Sequence, residues 1–143
     1  MEVDRDGLEV LDRSECMRLL RRASLGHVGI NSGSLPRVLP VVYSLDQSGR
    51  ILIRTNVGSK LDAAVQDAVV AFEVDDFDAR HESGWSVVAT GVAHTVDDPG
   101  APRRLGARCA GGDGRVVAIT PEMITGRRLP PAGTDGGGHR EHP

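Results

Sequence analysis

Arg54, Thr55, Ser59 and Lys60 bring two cations and two hydroxyls into one short stretch, RILIRTNVGSKLDAAVQD, residues 50–67. Such a set suits a phosphate, which wants fixed donors together with a point charge or a guanidinium fork. The elements that must position these side chains are legible around them. Residues 50–55 alternate as a strand, with Ile51, Ile53 and Thr55 on one face and Leu52 and Arg54 on the other. Asn56-Val57-Gly58 reads as a turn, and Ser59 stands where an N-cap belongs, with Asp62 three residues on. Leu61, Ala64, Val65 and Ala68 follow at helical spacing. Strand, turn and helix start therefore meet where backbone N–H groups and the helix dipole favour an anion. An ordinary capped helix beside solvated bases fits the same letters, and spacing alone favours that plainer reading.

The other reactive residue types carry weaker patterns. His27, His81 and His94 have no metal-ligand spacing, and the pair His139 and His142 falls in a tail with little to bury. Asp75, Asp76 and Asp78 lack the downstream Glu of a calcium loop. Ser34 and Ser86 sit in no Gly-x-Ser-x-Gly elbow. The run GGDG at 111–114 precedes a strand, not a helix, so it is no phosphate loop. Cys16 and Cys109 are isolated and form neither a disulfide framework nor a zinc set. Trp85, the single tryptophan, either closes the end of a barrel or flanks a planar ligand at a subunit seam.

Composition limits the class. The 143 residues suffice for one domain, and with 3% aromatics the core must be aliphatic. The net charge of −3 and the lack of a basic stripe interleaved with aromatics argue against a nucleic-acid binder. No long apolar run exists, and Met1 is followed by Glu2, Asp4 and Asp6 instead of a signal segment. The expectation is a soluble cytoplasmic protein without membrane contact.

In chain order, residues 1–10 read as a loosely held, flexible N-terminus. Asp12 with Glu15 makes a capping box, stapled by Leu11 and Cys16, for a helix ending near Arg22. Strands are expected at 26–31, 38–45, 50–55, 69–76, 85–96 and 115–120, with a short helix over 103–109. Pro40 implies an edge or a bulge in the second strand, and Gly91 a bulge or bend in the fifth. The folded domain is placed at 11–129 and a disordered tail at 130–143. Six short strands with hairpin-length links and two helices predict a mainly β protein, a small antiparallel barrel with helices outside.

The order DRSECMRLLRRASLGHVGI, LPRVLPVVYSLDQSGRILIRTNVGSKLDAA, VVAFEVDDFD, GWSVVATGVAHTV, ITPEMITGRRL resembles the pyridoxamine 5′-phosphate oxidase-like family of FMN-binding split β-barrel proteins. It is most similar to the small actinobacterial-type members with a GWSV strand, and the resemblance covers roughly residues 11–129. It implies a six-stranded antiparallel split barrel, a homodimer, and FMN at the dimer seam. RVLPVV matches the family's strand before the phosphate site, so Val38, Leu39, Pro40 and Val41 would offer backbone contacts to the flavin ring. Thr55, Ser59 and Lys60 would hold the phosphate, with Arg54 replacing an arginine that the oxidases carry between the serine and the lysine. The family's ring-contacting polar residue falls near Ser86, with Gly91 as the glycine that its strand later reaches and Trp85 beside it. The Arg-x-His signature of true pyridoxamine phosphate oxidases is missing near the C-terminus, where GRRLPP stands instead; this points away from pyridoxamine phosphate as substrate. The resemblance implies an FMN-dependent oxidoreductase of unstated substrate, in which the flavin carries the hydride and the protein anchors it. A deazaflavin-dependent reductase, a haem protein, a non-catalytic flavin-binding or storage protein, and an apo dimer are the alternatives. Tyr43 and His27 are the titratable candidates near the expected seam, and structural roles suit both better.

Overall fold

The computed structural model describes residues 1–97, 105 and 114–130. Cys109, the expected helix over 103–109 and residues 131–143 of the expected tail lie outside the described residues, apart from buried Leu105.

The chain forms β1 (Glu9–Leu11), α1 (Arg13–Arg22), β2 (Leu25–Ser32), β3 (Leu35–Leu45), β4 (Ile51–Asn56), α2 (Lys60–Ala64), β5 (Ala68–Asp78), β6 (Ser83–Thr95) and β7 (Gly114–Leu129). All pairings are antiparallel. The order β7-β4-β3-β2-β5-β6 closes when β6 pairs back onto β7, giving the six-stranded split barrel, and β1 adds a seventh strand beside β7. Within residues 1–10, Val3 bridges Glu9, the Asp4 side chain accepts from the Leu8 N–H, and β1 pairs with Gly126–Arg128. The sixth expected strand, 115–120, continues to Leu129, because Pro121 faces Gly91 at a bulge of the β6–β7 ladder and leaves it intact. A Cβ on Gly91 would stand 1.9 Å from the Thr120 carbonyl oxygen, so only glycine fits there.

Local chemistry sets the turns. Gly33 (φ +65°) closes β2 onto β3. Asp46 organises the next turn: one carboxylate oxygen accepts from the N–H groups of Ser48 and Arg50, the other from Arg50 Nε at 2.6 Å. α1 is capped by Asp12, which accepts from Glu15 N–H, but the Glu15 side chain turns to Arg18 and Arg128 and leaves the capping box half made. Cys16, Leu19 and Leu20 of this helix enter the core; Gly126 of β7 admits Cys16, since a Cβ there would meet its Sγ at 2.6 Å.

The alternation expected of β4 holds. Ile51 and Ile53 join the main core with Val28, Phe72, Val87 and Ile119, while Leu52 packs on the outer side with Leu105 and Ala118. α2 is shorter than its spacing suggested: it ends at Ala64, and Ala68 starts β5. Among the described residues no helix is long and apolar enough to cross a membrane.

Candidate functional site

The ladder between β3 and β4 covers only Tyr43↔Ile53, Ser44↔Leu52 and Leu45↔Ile51. Continued, it would bring Val41 opposite Thr55; instead the strands part and the barrel splits there. β3 stays paired with β2 from Leu35 to Val42, so residues 35–42 have β2 on one edge alone. Tyr43 N–H donates to Ser24 O on the β2 side. By the alternation of an antiparallel ladder, the main-chain groups of Leu39 and Val41 also face β2. Those of Val38, and the carbonyl of Pro40, face the split. Proline on this edge costs no ladder hydrogen bond, which explains how the sequence tolerates Pro40. Val38 and Pro40 are exposed, Leu39 is half-buried and Val41 is buried.

The β4–α2 turn forms the other lip of the split, and its inner side already holds an anion. Asp62 accepts from Thr55 Oγ1 at 2.7 Å and from Gly58 N–H at 3.1 Å, and lies 3.0 Å from Arg115 Nε of β7. Its side chain is 7% exposed. Thr55's hydroxyl, the Gly58 N–H and the Arg115 guanidinium hold this carboxyl below the usual carboxylate range against the opposing effect of burial. Ser59 caps the turn by accepting from Asp62 N–H at 3.0 Å. α2 has five residues; Asp62 N–H goes to Ser59 Oγ and Ala63 N–H to the Ser59 carbonyl, while the Gly58 N–H just before the helix goes to the Asp62 carboxylate. Thr55 is buried behind the turn, whereas Lys60 is exposed and Ser59 half-exposed on its outer side. Arg54 lies on the outer face of β4 across Gly114, whose Cβ, were there one, would meet the guanidinium at 2.5 Å.

Trp85 and Ser86 lie elsewhere. They border a cleft of about 350 Å³ at the far end of β7, walled by Leu8, Phe77 and Leu129, with Asp75, Asp76 and Arg127 as its charged groups. Arg115 and Arg127 mark the two ends of β7, ~40 Å apart along a straight strand at about 3.3 Å per residue, less with the bulge. One chain therefore gathers Val38, Leu39, Pro40, Val41, Arg54, Thr55, Ser59 and Lys60 around the split and leaves Trp85 and Ser86 at the other end.

Charge is arranged differently at the cleft end. Arg127 Nε donates to Asp4 at 2.8 Å, and Arg128 pairs with Glu15 at 2.6 Å and Glu9 at 3.6 Å. Arg18 and then Arg128 pull the Glu15 carboxyl down to about 2. On the outer face of β5, Glu73 lies 3.6 Å from His27 Nδ1. Burial, and then the neighbouring Asp75, push the Glu73 carboxyl up to about 7.

Neither of the other titratable candidates reaches the split. Tyr43 donates its hydroxyl proton to Leu20 O, and burial pushes its phenol up to about 12. His27 stands on the outer face of β2 opposite Glu73. Sequence reasoning missed Asp62 as the hub of the turn, although its place three residues after Ser59 and seven after Thr55 was a usable signal. Arg115 and the Asp4–Arg127 pair carry no short-range signal. Among the described residues no group of three His, Cys, Asp or Glu is placed to hold a metal ion.

Comparison with known proteins agrees with this architecture. The uncharacterised protein Rv0080 of Mycobacterium tuberculosis is 41% identical over 128 residues, 83% of this chain and 84% of that one. The structure of the FAD binding protein from Mycobacterium smegmatis superposes with a TM-score of 0.68 at 33% identity, covering 85% of this chain and 98% of that one. A FAD-binding protein from Mesorhizobium loti shares the fold, with a TM-score of 0.71 at 19% identity over 85% of this chain and 98% of that one. A sequence model of the family named pyridoxamine 5′-phosphate oxidase matches residues 12–128, and the chain belongs to that family.

Proposed function

We propose that this protein binds a flavin, FMN in form, in a site completed by a second copy of the chain. Membership of the family and 33% identity to a FAD-binding protein support a flavin. The observation that carries the two-copy reading is the separation along β7 of the split from the Trp85 cleft, each a part of what a flavin needs. The residues present fit the group. The open edge of β3 offers main-chain donors and acceptors to a ring with polar edges, and the indole of Trp85 offers an apolar face to a planar one. The phosphate is taken on the outer side of the β4–α2 turn, by Lys60 and Ser59 with Arg54 in reach. Thr55 acts from behind, through Asp62, as a support of the turn. When bound, the flavin supplies hydride transfer, and the chain supplies anchor, orientation and exclusion of water. The function that follows is an FMN-dependent oxidoreductase.

A second reading, a carrier that binds flavin without turning it over, is favoured by one feature. Tyr43 is committed to Leu20 and His27 lies on the outer face, so neither provides acid–base chemistry at the split.

The absorption spectrum of the purified protein separates oxidised FMN from deazaflavin, haem and no cofactor, and a flavin spectrum is expected. Light scattering at micromolar concentration should give the mass of two chains; one chain with flavin bound would overturn the shared site. Turnover of reduced nicotinamide by the flavin-loaded protein decides between oxidoreductase and carrier.

A further inference from the structure

The barrel closes on a stagger. β4 joins the last residues of β3, Tyr43–Leu45, to the first part of β7, Gly114–Ile119. One circuit of the barrel therefore slopes along the strands, as strand tilt and shear require. A line of the opposite slope runs along the barrel axis and keeps to one side. It starts at Val38 on β3, passes His27 on β2 and Glu73 on β5, and reaches Ser86 on β6, by the registers Gly29↔Val38, His27↔Glu73 and Asp75↔Ser86. All four side chains are on the outer face, since their inward-facing neighbours Val28, Phe72 and Val87 are buried. The outer side of β4 and the start of β7 is packed by Leu52, Ala118 and Leu105. Along the strip, by contrast, Val38 is 70% exposed and the His27 side chain 45%. Val38 belongs to the open edge of the split and Ser86 to the cleft. Each stands ~10 Å from the midpoint between His27 and Glu73, at strand spacings of about 4.8 Å and rises of about 3.3 Å per residue.

We propose that a second copy of the chain docks on this strip about a two-fold axis through the His27–Glu73 pair, with His27 of each copy beside Glu73 of the other. The inference rests on the two-copy reading of the flavin site and names the face and the contact that would build it. The strip carries a half-site at each end and an acid–base pair in the middle. A two-fold contact centred on that pair lays the open β3 edge of each copy over the cleft of the other, so two equal sites form at once. It also sets the central groups of one copy against the same groups of the other. A lone charge there would meet its like and repel. His27 and Glu73, 3.6 Å apart in one chain, instead give the doubled patch two carboxylates and two imidazoles, which is self-complementary. The centre of the contact thus selects a second copy of this chain over an unrelated apolar partner.

The test uses the full-length chain with FMN in excess, its mass followed by light scattering over a dilution series. His27→Glu leaves only carboxylates at the axis, and Glu73→Lys leaves only cations and imidazoles. Both positions face solvent in the single chain, and a thermal melt of each variant confirms that it folds. Wild type is expected at the mass of two chains. Each variant alone should need about a hundredfold more protein to associate, because like charges then face each other. Mixed one to one, the two variants should recover association to within about tenfold of wild type, since each offers the charge that the other lacks. A His27–Glu73 pair confined to one chain would give no recovery on mixing. Should either variant fail to fold, Val38→Arg decides, at a side chain 70% exposed in the single chain: weakened association is expected. Variants that associate as tightly as wild type, or that stay apart when mixed, overturn the inference and leave the two-copy reading to another face. A single-chain mass for wild type overturns both.

Discussion

The two ends of β7 handle charge in opposite ways. At Arg115 the partner carboxylate, Asp62, is inside: its side chain is 7% exposed and is held by Thr55, Gly58 and the guanidinium. At Arg127 and Arg128 the partners Asp4, Glu9 and Glu15 are 20–27% exposed and the arginines 32–37%. Breaking a buried pair leaves an uncompensated charge out of water and costs a few kcal/mol, whereas an exposed pair is worth less than about 1 kcal/mol. The first end is built to hold one geometry. The second is held by weaker ties around a largely apolar cleft.

The largest test removes what both ends share. Gly91→Val forces a side chain into the Thr120 carbonyl at the bulge between them. It should cost ~3 kcal/mol or more and disorder both ends together, as read by denaturant unfolding. Survival of either end alone would show that β7 does not couple them.

Asp62→Ala comes next. Because Arg115 keeps partial solvent access, the expected loss is ~2–3 kcal/mol, near the lower edge for a broken buried pair. The pH dependence has a definite sign. A carboxyl lowered in the folded state contributes stability above its ordinary value, 3.8 for Asp62, and loses it as pH falls through the lowered value. Glu73 has the opposite sign: its contribution is complete below 4.5 and is lost as pH rises towards about 7. Thermal melts from pH 3 to 8 should therefore lose part of their acid limb in Asp62→Ala and keep the decline towards neutrality.

Ligand binding sharpens the comparison further. Lys60→Ala should weaken FMN about ten- to a hundredfold and leave riboflavin nearly unchanged, since a charge-assisted contact is worth roughly 1.5–3 kcal/mol. Trp85→Ala should weaken FMN and riboflavin alike, by about threefold to tenfold, if loss of aromatic contact costs roughly 0.5–1.5 kcal/mol. Equal losses for both flavins in Lys60→Ala would remove the phosphate from the β4–α2 turn. The smallest effect is expected from Asp4→Ala, a shift in the unfolding midpoint smaller than that of Asp62→Ala, because its pair with Arg127 keeps more contact with solvent.

Much of the barrel was written in local pattern. β4 alternates because its two faces meet two different clusters, and Ser59 caps because its hydroxyl accepts from Asp62 N–H three residues on. The Gly91 bulge and the Pro40 edge were likewise readable, since each residue is suited to few backbone settings. Sequence reading failed where partners are distant in the chain. It ended the last strand at residue 120, since only pairing with β6 carries β7 past Pro121. The partner of β1 is equally distant, Gly126–Arg128 at the other end of the chain.

For the site the division is sharper. The sequence by itself determined which residue types bracket the glycine turn, because adjacency along the chain fixes adjacency in a turn. It could not determine what those groups face. Arg115, sixty residues from Thr55, turned out to share Asp62 with it, and so the inner donors of the turn serve a carboxylate of the protein. Nor could it decide that Trp85 and Ser86 stand at the far end of β7 from Lys60. That separation is set by ladder register, a property of paired strands and not of any one of them.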